Sequence, residues 1–91
     1  MINHKILWAD DEIDLLRSHQ MYLNERGFDV TPVTNGEDAL ALLQQEHFDL
    51  VLLDEMMPGL DGLSTLEQLK GRDPNVPVIM ITKTEEEHLM N

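Results

Sequence analysis

The sequence contains no cysteine, so neither a disulfide nor a thiolate metal site can brace it. Basic residues are scarce as well: 6 Lys and Arg stand against 18 Asp and Glu, a formal charge of −12. Phosphate backbones attract Lys and Arg, which argues against nucleic-acid binding by this segment. No apolar run approaches the ~18 residues of a membrane span. The start, MINHKILWADDE, lacks the long apolar core of a signal peptide. Gly-rich nucleotide loops are missing, so ATP and NAD are not expected ligands. The four histidines, His4, His19, His47 and His88, show no metal-ligand spacing. There is no internal repeat, low-complexity tract or linker. These absences lead us to expect a single soluble, cytoplasmic domain with no membrane contact. Acidity alone signals little beyond solubility. It becomes informative only where carboxylates sit in places that solvent would not put them.

What is present is enough apolar content, 42%, for a packed core in 91 residues. A domain of this size buries only a little over ~60% of its unfolded surface and is marginal without help. Short β-rich runs alternate with amphipathic ones. Residues 5–9 (KILWA) form a near-continuous apolar run that stops at Asp10-Asp11, as a buried parallel strand would. Residues 12–26 read as a helix, with Ile13, Leu16 and Leu23 on one face and Leu15 and Tyr22 widening it. Gly27 follows in a C-cap position. Residues 28–33 form a second strand, and Pro32 near its end points to an edge strand or to the strand's last residue. Asn35-Gly36 is a turn signal. Residues 37–45 form a second helix with Ala39, Leu40 and Leu43 inward. Residues 50–53 (LVLL) are the third strand, closed by Asp54. Pro58-Gly59 and Asp61-Gly62 mark a loop. Residues 63–72 form a third helix with Leu63, Leu66 and Leu69 at helical spacing. A fourth strand is expected over 76–82, and Thr84 with Glu87 forms a capping box for a fourth helix. The Glu85–Glu87 run suits the dipole of that helix start. Such βα alternation implies a parallel sheet with helices on both faces and right-handed crossovers.

In such a sheet, ligands bind outside the carboxyl ends of the strands. Asp10 and Asp11 follow the first strand, Asp54 the third, and Thr82 ends the fourth. Singly, each could be a solvated strand end, and Asp10 or Asp11 could simply cap the first helix. Together they place three carboxylates and a hydroxyl at one edge. Their mutual repulsion calls for a hard cation, and Mg²⁺ favours one or two carboxylates plus waters and phosphate oxygens.

At these residues the chain resembles the receiver domain of two-component response regulators. The likeness rests on ILWADDE, on LVLLDEMMPGLDG and on VIMITKT, and it runs from residue 4 to 91. It implies a flavodoxin-like (CheY-like) doubly wound α/β sheet of order 2-1-3-4. It also implies a phosphorelay role, with a sensor histidine kinase as donor and an output domain or partner protein as receiver of the signal. Asp54 matches the phosphoacceptor. Asp11 matches a direct Mg²⁺ ligand, and Asp10 one that acts through water. Met56 matches the residue whose backbone carbonyl completes the metal site, and Thr82 the switch hydroxyl. Pro58 and Gly59 would shape the loop that aims Asp54.

The family pattern has five βα units, with a lysine on the fifth strand that has no counterpart here. Lys83 follows Thr82 directly and is on the wrong strand to replace it. We therefore expect residues 1–91 to be a C-terminally truncated receiver. A raw fourth-strand edge and open sheet faces would favour a homodimer or oligomer. Glu55 and ITKTEEE resemble more finely a subclass of Bacteroidetes response regulators with an alkaline-phosphatase-like (PglZ-type) output domain. Two alternatives stand beside the receiver reading. One is a Mg²⁺-dependent phosphatase with an aspartyl nucleophile, which usually has a second acid two residues on. Asp10-Asp11-Glu12 offers that spacing, but Asp54-Glu55-Met56 does not. The other is a pseudo-receiver that only binds partners. Trp8, Met56, Met57 and Met80 are read as packing residues.

Overall fold

The computed structural model describes residues 3–82. Its elements are β1 (His4–Ala9), a 3₁₀ turn (Ile13–Leu16), α1 (Arg17–Glu25), β2 (Phe28–Val33), α2 (Gly36–Gln45), β3 (Leu50–Asp54), α3 (Gly62–Arg72) and β4 (Val78–Ile81). The four strands form one sheet of order β2-β1-β3-β4, and every neighbouring pair is parallel. The order reverses between β1 and β3, where a crevice opens at the carboxyl ends of both strands. The parallel sheet was expected from the alternation of runs, and its flavodoxin-like order from the family resemblance. The expected capping box and fourth helix lie outside the described residues.

Side-chain alternation sorts the sheet into two faces. Leu7, Ala9, Val51 and Leu53 join Ala39 and Leu40 of α2, Leu69 of α3, and Phe48 in the main core. Ile6 and Trp8 lie buried on the opposite face, as does Ile13 in the turn before α1. Among the described residues that second face is only partly covered. Trp8 pairs in register with Leu52, and Leu52 with Ile79, yet Ile79 is 52% exposed. Pro32 sits in β2 on the sheet edge, as its missing N–H requires.

Three local expectations change. The first helix does not run unbroken over 12–26, because its start is tightened. Asp10 Oδ1 accepts from Glu12 N–H at 2.8 Å, and the Asp10 and Glu12 carbonyls accept from Ile13 and Leu15 N–H at 3.1 and 2.9 Å. Those i→i+3 bonds make a 3₁₀ turn. Leu15 and Tyr22, expected to widen the inward face, are exposed, and so is Leu63 in the first turn of α3. The fourth strand is shorter than 76–82. Pro77 can lend its carbonyl to Val51 N–H at 3.0 Å but has no N–H to return.

Helix starts carry their own signals. Asn35 caps α2, its side chain accepting from Asp38 N–H at 2.7 Å, with Glu37 and Asp38 in the first turn. Asp61 caps α3 and accepts from Ser64 N–H at 2.8 Å. The expected loop at Asp61-Gly62 is therefore a helix start.

Candidate functional site

The site is built from the two central strands. β1 ends at Ala9, paired with Leu53, so Asp10 and Asp54 emerge side by side one residue further on. Both are fully buried. Asp10 is fixed by its backbone, whose N–H donates to Val33 carbonyl at 3.1 Å, and by its side-chain bond to Glu12 N–H. Asp54 Oδ1 accepts from Met56 N–H at 3.2 Å, which sets the carboxylate's orientation. Asp11 and Glu12 are exposed at the rim. Carboxylate oxygens of Asp10, Asp11 and Glu12 all lie within 4.8 Å of one another; Asp54 is not in that group.

A cleft of about 520 Å³ opens beside these acids, lined by Asp11, Glu55, Met56, Pro58 and Asp61 among others. Asp61 stays below the ordinary carboxylate range because Ser64, through its backbone N–H and its hydroxyl, stabilises the charged form. The acidic cleft and the carbonyl-bearing loop after Asp54 offer hard oxygen donors, the chemistry that suits Mg²⁺. No sulfur or imidazole ligand competes in the acid group.

Two glycines shape this rim. Gly59 has φ +78°, a conformation that side chains rarely adopt, so the loop turns there as expected from Pro58-Gly59. Gly62 is buried, and a Cβ on it would collide with the Asp54 carbonyl oxygen and come within 2.8 Å of Glu55 Cα. Its lack of a side chain lets α3 begin directly against the backbone that carries Asp54. From sequence alone, Asp61-Gly62 marks only a loop. An Asp-Gly pair immediately before a leucine-spaced helix was the available signal.

The other expected residues divide. Met57 is buried in the core, while Met56 is exposed with its side chain in the cleft lining. Thr82 follows β4, and its hydroxyl donates to Glu55 Oε2 at 3.1 Å. Glu55 was noticed in the sequence only for the finer resemblance; its contact with Thr82 had no sequence signal, since 27 residues separate them. Lys83 lies outside the described residues.

A doubly wound parallel module with buried aspartates at its switch point is the class these features define. The chain belongs to the response regulator receiver domain family, whose profile matches residues 6–91. It is a receiver domain of the kind used in two-component signalling. Among curated relatives it is 42% identical over 78 residues to a probable transcriptional regulator, ycf27, of Cyanophora paradoxa, covering 86% of this chain and 32% of that one. It is 38% identical over 86 residues to the alkaline phosphatase synthesis transcriptional regulatory protein PhoP of Bacillus subtilis, covering 94% and 36%. The chain thus spans about a third of the length of those relatives. Among solved structures, the receiver domain of Francisella response regulator 1452 is 33% identical, with a TM-score of 0.82, and covers 97% of this chain and 74% of its own. The response regulator TrrA of Thermotoga maritima, solved with Mg²⁺ and BeF, is 29% identical with a TM-score of 0.83, covering 94% and 75%. Among the described residues no helix is long and apolar enough to cross a membrane.

Proposed function

We propose that Asp54 accepts a phosphoryl group from a sensor histidine kinase and that the domain signals this by moving Thr82. The observation that carries the reading is the fully buried Asp54 closing β3 beside the equally buried Asp10 closing β1. Buried carboxylates are costly unless hydrogen bonds, a paired charge or a bound cation offset their desolvation, and a switch point is where a ligand would reach them. Asp11, Asp54 and the Met56 carbonyl would hold Mg²⁺, with Asp10 acting through water. When bound, Mg²⁺ supplies positive charge against the phosphoryl oxygens.

The residues of the chain divide the remaining work. Asp54 provides the attacking oxygen: an O–P bond forms in line as the N–P bond of a phosphohistidine breaks, and the imidazole leaves with the electron pair. Met56 N–H, bonded to Oδ1, holds the carboxylate in its attacking orientation. Gly62 and the Pro58-Gly59 turn fix the loop behind it. Thr82, at the end of β4, is the hydroxyl that would reach the new phosphoryl group. The family's lysine has no counterpart in these 91 residues. The phosphatase alternative is not favoured, because Met56 stands where a second acid is needed.

A cytoplasmic location and an output domain or partner protein complete the proposal. The named relatives are transcriptional regulators; the alkaline-phosphatase-like output rests here on Glu55 and ITKTEEE alone. Self-association is a further part of it. Ile79 lies on β4 at the sheet edge and is half exposed, the kind of surface that pairs with another chain. Light scattering that finds only monomer at high concentration would remove this part.

Beryllofluoride with Mg²⁺ tests the central claim. The full-length protein should bind it, and Asp54→Asn should abolish binding and acetyl phosphate labelling alike. Labelling that survives Asp54→Asn would move the acceptor elsewhere.

A further inference from the structure

We propose that Glu55 is a positioning residue that holds the Thr82 hydroxyl away from Asp54 until a phosphoryl group arrives. This rests on the reading of Asp54 as acceptor and Thr82 as switch. The two residues are locked side by side at the ends of neighbouring strands. Glu55 N–H donates to the Ile81 carbonyl at 3.0 Å, and Thr82 Oγ1 donates to Glu55 Oε2 at 3.1 Å.

A threonine hydroxyl carries one proton and donates to one acceptor at a time. While Glu55 holds that proton, Thr82 cannot give it to an oxygen on Asp54. A hydrogen bond to an ionised carboxylate is also stronger than one to a neutral acceptor, so the held state is favoured at rest. Glu55 lines the same cleft as Asp11 and Met56, and it is the residue next to Asp54. Phosphorylation of Asp54 brings new negative charge and strong acceptor oxygens to that point. The charge repels the Glu55 carboxylate, and the oxygens compete for the Thr82 proton. Both effects act in one direction, so a local event at Asp54 opens a contact between β3 and β4.

Holding the hydroxyl has a measurable cost. A ligand that needs Thr82 binds more weakly in proportion to the fraction of molecules in which the hydroxyl is available. Glu55→Ala removes the latch, and Glu55→Gln removes the charge while keeping an acceptor oxygen. In calorimetric titrations of beryllofluoride at saturating Mg²⁺, Glu55→Ala in the full-length protein should bind about 3- to 10-fold more tightly than wild type, the range of one net hydrogen bond. Glu55→Gln should gain less. In the Thr82→Ala background, Glu55→Ala should gain no more than Glu55→Gln does. The Thr82 methyl resonance of unliganded Glu55→Ala should move toward its position in the beryllofluoride complex.

Equal gains with and without the Thr82 hydroxyl would reduce Glu55 to a mere charge and overturn the latch. A methyl resonance that stays at its resting position would overturn it too. Beryllofluoride binding that is absent from wild type, or that persists in Asp54→Asn, would overturn the reading of the site and the latch with it. Asp54-dependent binding with no Glu55–Thr82 coupling would overturn the latch alone.

Discussion

At the carboxyl end of the sheet Asp10 and Asp54 are fully buried, whereas at the amino end Asp49 lies at the surface among donors. Asp49 accepts from the backbone N–H of Lys5 at 2.7 Å and from His47 Nε2 at 3.3 Å, with His4 Nδ1 3.9 Å away. Beside it Lys5 Nζ meets Glu46 at 2.6 Å and lies 5.0 Å from the centre of the Phe48 ring. The acids at the amino end, Glu46 and Asp49, each meet hydrogen-bond donors and lie in solvent, an arrangement worth little for stability. At the carboxyl end carboxylates gather with carboxylates. Asp10, Asp11 and Glu12 bring like charge within 4.8 Å. The first pattern serves folding, and the second makes sense once a cation and an anion are its intended occupants. Acid content is therefore uninformative by itself; what distinguishes the ends is burial and the sign of the neighbours.

The largest expected effect comes from the packing that the site end needs and the amino end does not. Gly62→Ala would press a methyl group into the backbone of Asp54 and Glu55, which cannot rotate away as a side chain would. Overpacking of this kind costs about 1–3 kcal/mol. In a domain this small that lowers Tm by about 4–8 °C per kcal/mol, read by calorimetry or circular dichroism. Binding of beryllofluoride should weaken with it, because the same backbone carries the acceptor. Gly71, where a Cβ meets nothing within 4 Å, is the control: Gly71→Ala lies inside α3 and should be neutral or stabilising. Equal losses at both glycines would mean that the close approach at Gly62 does not set the cost, since helix propensity alone predicts a gain from alanine.

A second test separates charge from packing. Asp11 is an exposed acid at the rim of the site, close to two others. Asp11→Asn should weaken Mg²⁺ binding by about tenfold or more, since even supporting residues of metal sites have effects of that order. Without Mg²⁺ the same change should raise Tm, by about 2–4 °C, as it relieves exposed like-charge repulsion. Thermal unfolding in chelator and in excess Mg²⁺ would show both signs. A Tm that falls in chelator would mean that Asp11 is a structural residue and that its end of the sheet resembles the other.

Much of this was legible in the sequence, and the misses have physical causes. Apolar runs that stop at Asp10 and Asp54 located both strand ends, since a buried parallel strand tolerates no charge until it emerges. Pro32 pointed either to an edge strand or to a strand end, and the sheet order decides for the edge. The 3₁₀ start before α1 was not legible, because it arises from Asp10 accepting from Glu12 N–H two residues ahead instead of opening an α-helix. Helical spacing suggested that Leu63 points inward, but spacing does not fix the rotation of a helix in its first turn. Gly62 and Glu55 act through neighbours brought together only by the parallel register of β3 and β4 and by the return of α3. Contacts of that kind leave no local pattern. The place of the candidate site was thus readable from the strand ends, while its fine positioning was not.

The smallest expected effect lies at the amino end and has the opposite sign from Asp11. Asp49 sits below its ordinary value of 3.8, chiefly because the Lys5 backbone N–H donates to it, with His47 adding to the effect. A carboxyl whose folded pKa is depressed contributes stability above its unfolded pKa and loses it as pH falls through the folded one. The contribution of Asp49 is thus fully present near neutrality and is lost as pH falls below 3.8 through its lowered folded pKa. Asp49→Asn keeps an oxygen for Lys5 N–H but removes the charge. It should lower Tm at pH 7 by no more than about 2 °C, because the group is solvent-exposed and screened. The difference from wild type should shrink to nothing as the pH is taken down through 3.8. Melting curves between pH 2 and 7 measure it. Neutralising an acid would then destabilise one end of the sheet and, in chelator, stabilise the other. Two shifts of the same sign would show that the acids at both ends are held in the same way, and the contrast between them would fail.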